Sequence, residues 1–530
     1  MEPHIELKAS KRARYPGARF VGPIDPNEPV ELTVVLKPSD DLAADIEELG
    51  AQPPGERRGR RAAVPVRHRI ADAGLTALRR FAREFDLRVA NVDKERHTAH
   101  LRGPLGNMLR AFQTKLATYE RGGVRFRMRT GFLRIPADLA PYVVAVLGLD
   151  DRPQARSHAR RASSGTLGFP PQQVAKLYDF PPGDGRGQTI ALIELGGAFD
   201  RDDLAWYFRG IGMPVIPVIE AVYVDGIAPL KYRDEPNDDD GEVMLDVEVA
   251  GAVAPGARIV VYFTPNTDRG FYDALAAAVY DDRRRPSVIS ISWGAAEKFY
   301  TPQMCRAFDE LAMHAALRGI TIVVASGDDG ASDLNPSKPG FDQRHHVDFP
   351  ASSPHVLACG GTRLTLANGA LRSERAWHGA TGASGGGIST LFAVPRWQRG
   401  CTPSIEPLLR RGVPDVAGNG DPDSGYACFA NRQLTSSAGT SAVAPLWAGL
   451  IARINENLGT RCGFVTPLLY ASASRSGALR DVRLGDNGCH TVHGYRAKRG
   501  WDACTGLGTP NGRALMRLLR GRPRRRARAT

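Results

Sequence analysis

Four short runs rich in β-branched residues alternate with helix-like stretches in the middle of this chain. The runs are TIALIEL (189–195), ARIVVYF (257–263), SVISISW (287–293) and ITIVVAS (320–326), and stretches such as FYDALAAAVY (271–280) lie between them. Strands that are apolar along their whole length are buried on both faces. The pattern therefore predicts an α/β fold, a parallel sheet flanked by helices, whose functional groups lie at the carboxyl ends of the strands.

The first 150 residues predict a separate domain. VELTVVL (30–36) and VRFRMR (124–129) are strand-like, whereas LTALRRFAREFDL (75–87) and GNMLRAFQTKL (106–116) have helical spacing. Strands and helices in this order, without a βαβ rhythm, predict a small α+β domain. We divide the 530 residues into five segments: a disordered basic N-terminus (1–27), the α+β domain (28–150), an exposed, cleavable linker (151–166), the α/β domain (167–515) and a basic tail (516–530).

Positive charge is concentrated at the two ends of the chain. Residues 1–162 hold 30 Lys and Arg against 20 Asp and Glu, and residues 521–530 hold five Arg and no acid. Neither a zinc-finger spacing nor an RNA-recognition aromatic motif accompanies this charge, so we expect solvated basic faces and no nucleic-acid partner. A nucleic-acid-associated protein that uses its Arg-rich ends is the alternative.

Apolar runs are too short to span a bilayer, and the N-terminus lacks the apolar core of a secretory signal. We therefore expect no membrane partner. The seven Cys are an odd number, which leaves at least one thiol free in a monomer, and a CxxC motif is absent. Cys489 and Cys504 flank one loop, and whether they pair is open.

Two acids four residues apart, Glu242 and Asp246, lie in GEVMLDVEVAGAVAPGA. That spacing places both carboxylates on one helix face, where ionised acids repel each other. Val249, Ala250 and Val253 continue the same face, and apolar surroundings raise the pKa of one member of the pair. Such a carboxyl can carry a proton at acid pH, where a His is protonated. The alternative is a solvent-exposed acidic helix.

Ser441 begins a helix in GTSAVAPLWAGLIARI, with Pro445 expected in the first turn. The positive end of the helix dipole favours an anion that develops there. A Ser nucleophile needs a base, and no His has an obvious partner acid, so the acid pair is the better candidate. An ordinary helix-capping Ser is the alternative.

Asp328 in ITIVVASGDDG follows the end of a strand. A neutral Asp at this position can donate a hydrogen bond to an oxyanion. The alternative is a turn residue in a Gly-Asp-Asp-Gly loop.

A series of motifs in order resembles the sedolisin, or serine-carboxyl, peptidases: IELGG, GEVMLDVEVAGAVAPGA, SISWG, ASGDDG, HVDFPASSPHVLACGGT, RGVPDVAG, GTSAVAPLWAGLIARIN and GWDACTGLG. The resemblance runs from about residue 30 to 515. It implies a subtilisin-like catalytic domain, an inhibitory N-terminal prodomain, and an acid-active endopeptidase made as a self-processing zymogen. A catalytically inactive binding protein of the same descent is the alternative.

The resemblance also implies roles for individual residues. Ser441 would be the nucleophile, Glu242 the general base and acid, Asp246 the residue that orients Glu242, and Asp328 the oxyanion donor. Glu194 and Trp293 match residues that surround the base. Asp348, in HVDFP, is similar to a family Asp that faces basic substrate side chains, so Arg or Lys would precede the cleaved bond; a loop Asp with a local hydrogen bond is the alternative.

One structural Ca²⁺ is implied in the same way. Asp481 and Asp502 would supply carboxylates, and Val482, Lys498 and Gly500 would supply backbone carbonyls, which are the hard oxygen ligands that Ca²⁺ prefers. The family usually has Gly where Lys498 stands, and the alternative is a pair of surface acids. The partners expected are a peptide or protein substrate and the chain's own prodomain, in a monomer located outside the cell.

Overall fold

The structure is a computed structural model that describes residues 3–38, 42–57, 69–161, 167–233, 235–380, 382–401 and 408–521. The α/β domain is built on a sheet of eight strands: β12 (Thr189–Glu194), β13 (Val218–Tyr223), β14 (Arg258–Phe263), β15 (Val288–Ile291), β17 (Thr321–Ala325), β19 (Leu357–Ala367), β20 (Ala370–Ala376) and β23 (Val416–Asn419). Their order is β13-β14-β12-β15-β17-β19-β20, with β23 also beside β19. All pairs are parallel except β19 with β20, which confirms the predicted fold class.

Eight helices and several short strands complete this part of the chain as described. The helices are α4 (Pro171–Leu177), α5 (Arg201–Gly210), α6 (Asp238–Val253), α7 (Asp268–Val279), α8 (Pro302–Leu317), α9 (Thr440–Leu458), α10 (Thr466–Ser476) and α11 (Gly512–Arg520). The other strands are β16 (Trp293–Ala296), β18 (Asp348–Phe349), β21 (Gly387–Ala393), β22 (Arg410–Val413), β24 (Tyr426–Ala430), β25 (Gln433–Ala438), β26 (Leu479–Arg480) and β27 (Thr509–Pro510).

Helices cover both faces of the sheet because successive strand residues point to opposite sides. On β12, Ile190 and Leu192 belong to the apolar core that contains α6 and α9. Ala191 and Ile193 belong to the core on the other face, which contains α7 and α8. The packing of α6 against α9 brings two chemistry-bearing segments, nearly 200 positions apart in sequence, to one end of the sheet.

The N-terminal domain has nine strands and three helices among its described residues. They are β1 (His4–Arg12), β2 (Arg19–Gly22), β3 (Pro29–Leu36), β4 (Arg88–Asp93), β5 (Thr98–Pro104), β6 (Leu116–Arg121), β7 (Val124–Arg129), β8 (Gly131–Pro136) and β9 (Val143–Leu147), with α1 (Ala43–Ala51), α2 (Asp72–Glu84) and α3 (Leu105–Ala111). The antiparallel sheet β4-β5-β3-β9 forms its centre, as expected for an α+β domain.

The two faces of this antiparallel sheet contact different partners. Leu32 and Val34 pack in the N-terminal domain's own core with α2 and α3, whereas Val35 and Ala145 join the core of the α/β domain. A buried ion pair also crosses the boundary, from Arg12 to Asp268 at 2.9 Å. The N-terminal domain is therefore docked on α7 and α8 through apolar and charged contacts.

Two of the predicted boundaries are wrong. Residues 1–27 are not a disordered arm, because β1 pairs with β8 and β2 with β6. The charged residues Glu6, Lys8, Lys11 and Arg12 masked the strand pattern of β1. The basic tail does not begin at 516, since α11 runs to Arg520 and buries Leu515 and Leu519. The rest of that tail, 522–530, lies outside the described residues, as do linker residues 162–166.

The linker is also not exposed as predicted. Arg156–Ser157 forms β10, which pairs with β16, and Arg160–Arg161 forms β11, which pairs with β25. His158 between them is 1% exposed. The polar composition of the segment predicts exposure, but the groups that bury it belong to the other domain.

Two further expectations concern cysteines and membranes. All seven Cys fall within the described residues and each is a free thiol, so Cys489 and Cys504 are not paired. In the part of the chain that the structure describes, no helix is both long and apolar enough to cross a bilayer.

Candidate active site

Ser441 lies in the first turn of α9, and Gly439 precedes the helix with a φ of 98°. A Cβ at 439 would overlap the carbonyl oxygen of His158 and the Asp328 carboxylate, so only Gly allows the linker this close. The Ser441 hydroxyl donates to the carbonyl of Ser292 at 3.4 Å and is also a hydrogen-bonding neighbour of Glu242. Helix packing therefore brings the predicted nucleophile to the predicted base.

Pro445 does not lie in the first turn of α9, because the helix begins at Thr440. Proline in a helix interior removes the donor to the carbonyl four residues earlier, which here is the carbonyl of Ser441. The Ser292 hydroxyl lies 3.3 Å from that oxygen. The Ser441 carbonyl therefore faces a hydroxyl that lies closer to Asp246.

Glu242 and Asp246 are fully buried on α6, which excludes the exposed acidic helix. One Glu242 oxygen accepts the backbone N–H of Ala159 at 2.8 Å, and the other has no partner in good hydrogen-bond geometry among the described residues. Burial and the charge of Asp246 raise the pKa of Glu242 well above its usual value. The carboxyl therefore holds a proton more tightly than a carboxyl in water.

Asp246 and Glu194 complete a group of acids around Glu242, which we call the proton-sharing acids (Glu194, Glu242 and Asp246). The Ser292 hydroxyl lies 2.9 and 2.8 Å from the two Asp246 oxygens, and the indole of Trp293 donates to Glu194 at 2.7 Å. Burial, then the charge of a neighbouring acid, raises the pKa of both Asp246 and Glu194 well above the usual range. Because ionised carboxylates repel one another, these three buried carboxyls cannot all be ionised at once. The group therefore retains protons.

Asp328 follows the carboxyl end of β17 and is fully buried. Its Oδ1 accepts the backbone N–H and the hydroxyl of Thr440, both at 2.8 Å. Its Oδ2 lies 3.3 Å from Nε of Arg160. Burial raises its pKa despite Arg160, His158 and the Thr440 hydrogen bonds, so the neutral, hydrogen-donating form persists to higher pH than in an ordinary Asp.

The linker crosses this site as an extended strand. Antiparallel pairing with β16 on one side and β25 on the other places the His158–Ala159 peptide bond between Ser441, Glu242 and Asp328. The His158 N–H donates to the Ser292 carbonyl at 3.2 Å, and the Ala159 N–H reaches Glu242. A peptide is therefore bound in the cleft by backbone hydrogen bonds on both sides of one bond.

Asp348 lies beside the residue that precedes this bond. Its Oδ2 is 3.1 Å from Nε2 of His158, and both residues are buried. Burial lowers the pKa of His158 to about 4. In this chain's own linker a His, and not Arg or Lys, occupies the position that faces Asp348.

The five residues of the predicted calcium site lie on two adjacent loop segments. The Gly500 N–H donates to Asp481 at 3.2 Å and the Lys498 N–H donates to Asp502 at 2.9 Å. Oδ1 of Asp481 is buried without a partner, and Lys498 is absent from the residues with positive φ, so it needs no Gly-like backbone. The oxygen atoms of these five residues are ligands that fit a hard cation. Arg483 nevertheless contacts Asp481 at 2.7 Å.

Across the described ranges of the chain, no group of three or more His, Cys, Asp or Glu side chains is placed to hold a metal ion. The predicted calcium site has only two carboxylates, and its other ligands are backbone carbonyls. The calcium prediction therefore stays a prediction.

Several contact residues were missed from the sequence: Ser292, Arg156, His158, Arg160, Asp329 and Asp333. The alternation of basic residues in RSHAR (156–160) is a strand signal inside a segment whose polarity suggests an exposed linker. The acids that face it lie far away in sequence, so nothing local marked them as partners.

The parallel sheet with a Ser at a helix start and a prodomain strand in the cleft defines a peptidase of the subtilase type. Residues 226–467 match the Subtilase family, and residues 16–152 match the family described as "Pro-kumamolisin, activation domain". The chain is 40% identical to Kumamolisin of Bacillus sp. (strain MN-32) over 97% of this chain and 96% of that one. It is 29% identical to Sedolisin of Pseudomonas sp. (strain 101) over 77% of this chain and 72% of that one.

Among solved structures, the chain resembles Pseudomonas sedolisin, a serine-carboxyl proteinase complexed with two molecules of pseudo-iodotyrostatin. The TM-score is 0.60 at 27% identity, over 67% of this chain and 99% of that one. The chain belongs to the sedolisin family of serine-carboxyl peptidases and carries that family's activation domain. It is accordingly a serine-type peptidase precursor whose N-terminal domain is a prodomain.

Proposed function

We propose that this chain is an acid-active endopeptidase that cleaves its own linker at the His158–Ala159 bond. The observation that supports the proposal is the position of Glu242, one of whose oxygens accepts the Ala159 N–H while the carboxyl also neighbours the Ser441 hydroxyl. One group thus faces both the nucleophile and the leaving nitrogen, as a general base that becomes a general acid requires. The bound linker extends on both sides of the bond, which favours endopeptidase over exopeptidase action.

The proposed reaction is acyl transfer. Ser441 Oγ attacks the carbonyl carbon of His158 while Glu242 accepts the hydroxyl proton. Asp328, neutral, donates a hydrogen bond to the oxyanion of the tetrahedral intermediate. Glu242 then protonates the nitrogen of Ala159 as the C–N bond breaks. Water repeats the sequence to release the acyl group, with Asp246 orienting Glu242 throughout.

Acid activity follows from the pKa directions in the site. The oxyanion donor works only while Asp328 is protonated, and its raised pKa extends that range upward from strongly acid pH. An imidazole base would be protonated and inactive there, whereas a carboxyl within the proton-sharing acids can still exchange a proton.

The same proposal includes one structural Ca²⁺ held by the carboxylates of Asp481 and Asp502 and by the carbonyls of Val482, Lys498 and Gly500. Its contribution would be to tie the two loop segments together. We also propose an extracellular location and a monomer, on the family resemblance. Basic side chains or His would precede the cleaved bond, opposite Asp348.

An acid shift of the full chain, followed by N-terminal sequencing of the products, tests the proposal. We expect a new N-terminus at Ala159 and no product from Ser441→Ala. Ala159→Pro removes the N–H that reaches Glu242 and should block cleavage at this bond, whereas Ser157→Ala, two positions earlier in the linker, should be processed normally. Unchanged self-processing of Ser441→Ala would overturn the assignment.

A further inference from the structure

A second feature of the bound linker is the face that carries Arg156, His158 and Arg160. Alternate residues of a strand share one side, so these three point together toward the cleft wall. Their partners there are all acids: Asp328, Asp329, Asp333 and Asp348. The reaction proposed above uses Asp328, and the family resemblance already covers Asp348, so Asp329 and Asp333 have no assigned role.

Asp329 contacts both arginines at once. Its Oδ2 lies 2.5 Å from Nη2 of Arg156, and its Oδ1 lies 3.0 Å from Nη2 of Arg160. Asp329 is fully buried, whereas the Arg side chains are 37% and 30% exposed. One fixed carboxylate thus receives guanidinium groups from the third residue before and the second residue after the bond between His158 and Ala159.

The remaining contacts of Asp329 belong to the catalytic domain itself. Nε2 of His490 lies 2.9 Å from Oδ1 of Asp329. A separate acid, Asp333, makes a longer contact with Arg156 at 3.6 Å. Once the linker leaves, Asp329 loses both guanidinium partners and keeps His490. A buried carboxylate without its cations is costly in free energy. It therefore binds preferentially a peptide that supplies cations again.

We propose that Asp329 determines specificity by binding basic side chains at the third position before and the second position after the cleaved bond. The substrates favoured are extended segments with Arg at both positions. The inference rests on the function proposed above, since it takes the linker as a bound substrate.

The charge state of Asp329 agrees with this role. Burial acts to raise its pKa, but the hydrogen bond from His490 and the charges of Arg156 and Arg160 hold that pKa below its usual value. By contrast, the pKa values of Asp333 and Asp348 are raised well above the usual range, mainly by burial. With basic side chains bound, Asp329 therefore remains a carboxylate at acid pH.

The first test compares peptides on the acid-processed full chain. The reference peptide contains ARSHARR (155–161), and its variants carry Ala in place of the first Arg, the second Arg, or both. We expect kcat/KM to fall about tenfold for each Arg removed, because a substrate without that Arg leaves a buried carboxylate short of one cation. This arm changes no residue of the protein, so misfolding cannot produce the result.

The second test compares the same peptides on Asp329→Asn. Within this variant the ratio of kcat/KM for the Arg peptide to that for the doubly Ala peptide should fall from about a hundredfold to below tenfold. Asp202→Asn, an exposed acid at the start of α5, is the matched control and should keep the wild-type ratio. A wild-type ratio in Asp329→Asn would overturn the proposal.

A third measurement is independent of catalysis. In a full chain with Ser441→Ala, Asp329→Asn removes the carboxylate that both arginines share and should speed trypsin cleavage after Arg156 and Arg160 about tenfold, whereas Asp202→Asn should not. If the wild-type chain cleaves none of the peptides, the proposed function fails, and trypsin then decides on Asp329. Unchanged trypsin cleavage would refute the role of Asp329 as a binder of basic side chains.

Discussion

Buried acids within one cleft behave in two opposite ways. Burial and mutual repulsion raise the pKa values of the proton-sharing acids. Asp329 is equally buried, but Arg156, Arg160 and His490 lower its pKa against the effect of burial. The difference shows that neighbours, and not residue type or depth, decide whether a buried carboxyl carries protons or binds charge.

The largest effect should come from removing the carboxyl that carries the proton. Glu242→Gln keeps the size of the side chain and loses the base, so self-processing after an acid shift should slow by about 10³-fold or more. The rate of appearance of the processed band measures this.

Glu248→Gln is the matched control for that experiment. Glu248 is a second buried Glu on α6, and it accepts the backbone N–H of Phe429 at 3.1 Å, away from Ser441. If both variants slowed processing equally, a general loss of α6 packing would explain the result in place of proton transfer. The contrast between the proton-sharing acids and Asp329 would then fail.

The next effect concerns Asp328, which contacts Thr440 and Arg160. Asp328→Ala removes the proposed oxyanion donor and should lower kcat by about 10²–10³-fold. Asp328→Asn keeps a donor that does not titrate, so it should lose less activity. Because the rate of the wild type falls as Asp328 ionises, the alkaline limb of the pH profile should move to higher pH in Asp328→Asn. An unmoved limb would assign that limb to another group.

A pair of acids outside the cleft, Asp481 and Asp502, tests the effect of a bound metal ion. Excess Ca²⁺ should raise the Tm of the full chain carrying Ser441→Ala, with a stabilisation of about 2.7 kcal/mol at a hundredfold excess over Kd, and chelation should reverse it. Asp502→Asn should abolish the response, whereas Asp486→Asn, a partly exposed acid of the same region, should keep it. If Ca²⁺ did not change the Tm of the chain carrying Ser441→Ala, the calcium site would be refuted.

The smallest effect is expected from Glu248→Gln, as a change in the pH dependence of the stability of the chain. Burial raises its pKa well above the usual value, so the folded chain holds this proton more tightly than the unfolded chain does. Stability is therefore greatest below the unfolded pKa and declines as pH rises above it. Glu248→Gln does not titrate, so its Tm relative to wild type should increase from acid to neutral pH by roughly a few degrees. A constant difference would show that the pKa of Glu248 is the same in the folded and the unfolded chain.

Much of the fold could be predicted because its signals are local. Continuous apolar runs indicated the parallel sheet, and the spacing of Leu75, Leu78 and Phe81 indicated α2, whose side chains are indeed buried. The acid pair on α6 was visible for the same reason, since four positions along a helix fix a shared face. The strand β1 was missed because its charged residues interrupt the apolar pattern and its pairing partner β8 lies far along the chain.

The sequence by itself determined the sheet, the helices and the presence of two acids and a Ser suited to acyl transfer. Only the tertiary structure decided which peptide bond lies beside Ser441 and which acids hold protons or cations. The physical reason is distance along the chain: Ala159 meets Glu242, and Arg156 meets Asp329, across separations that no periodicity encodes. The pKa and the partner of a carboxyl depend on the groups that surround it, and these groups come together only when the linker, α6 and α9 pack.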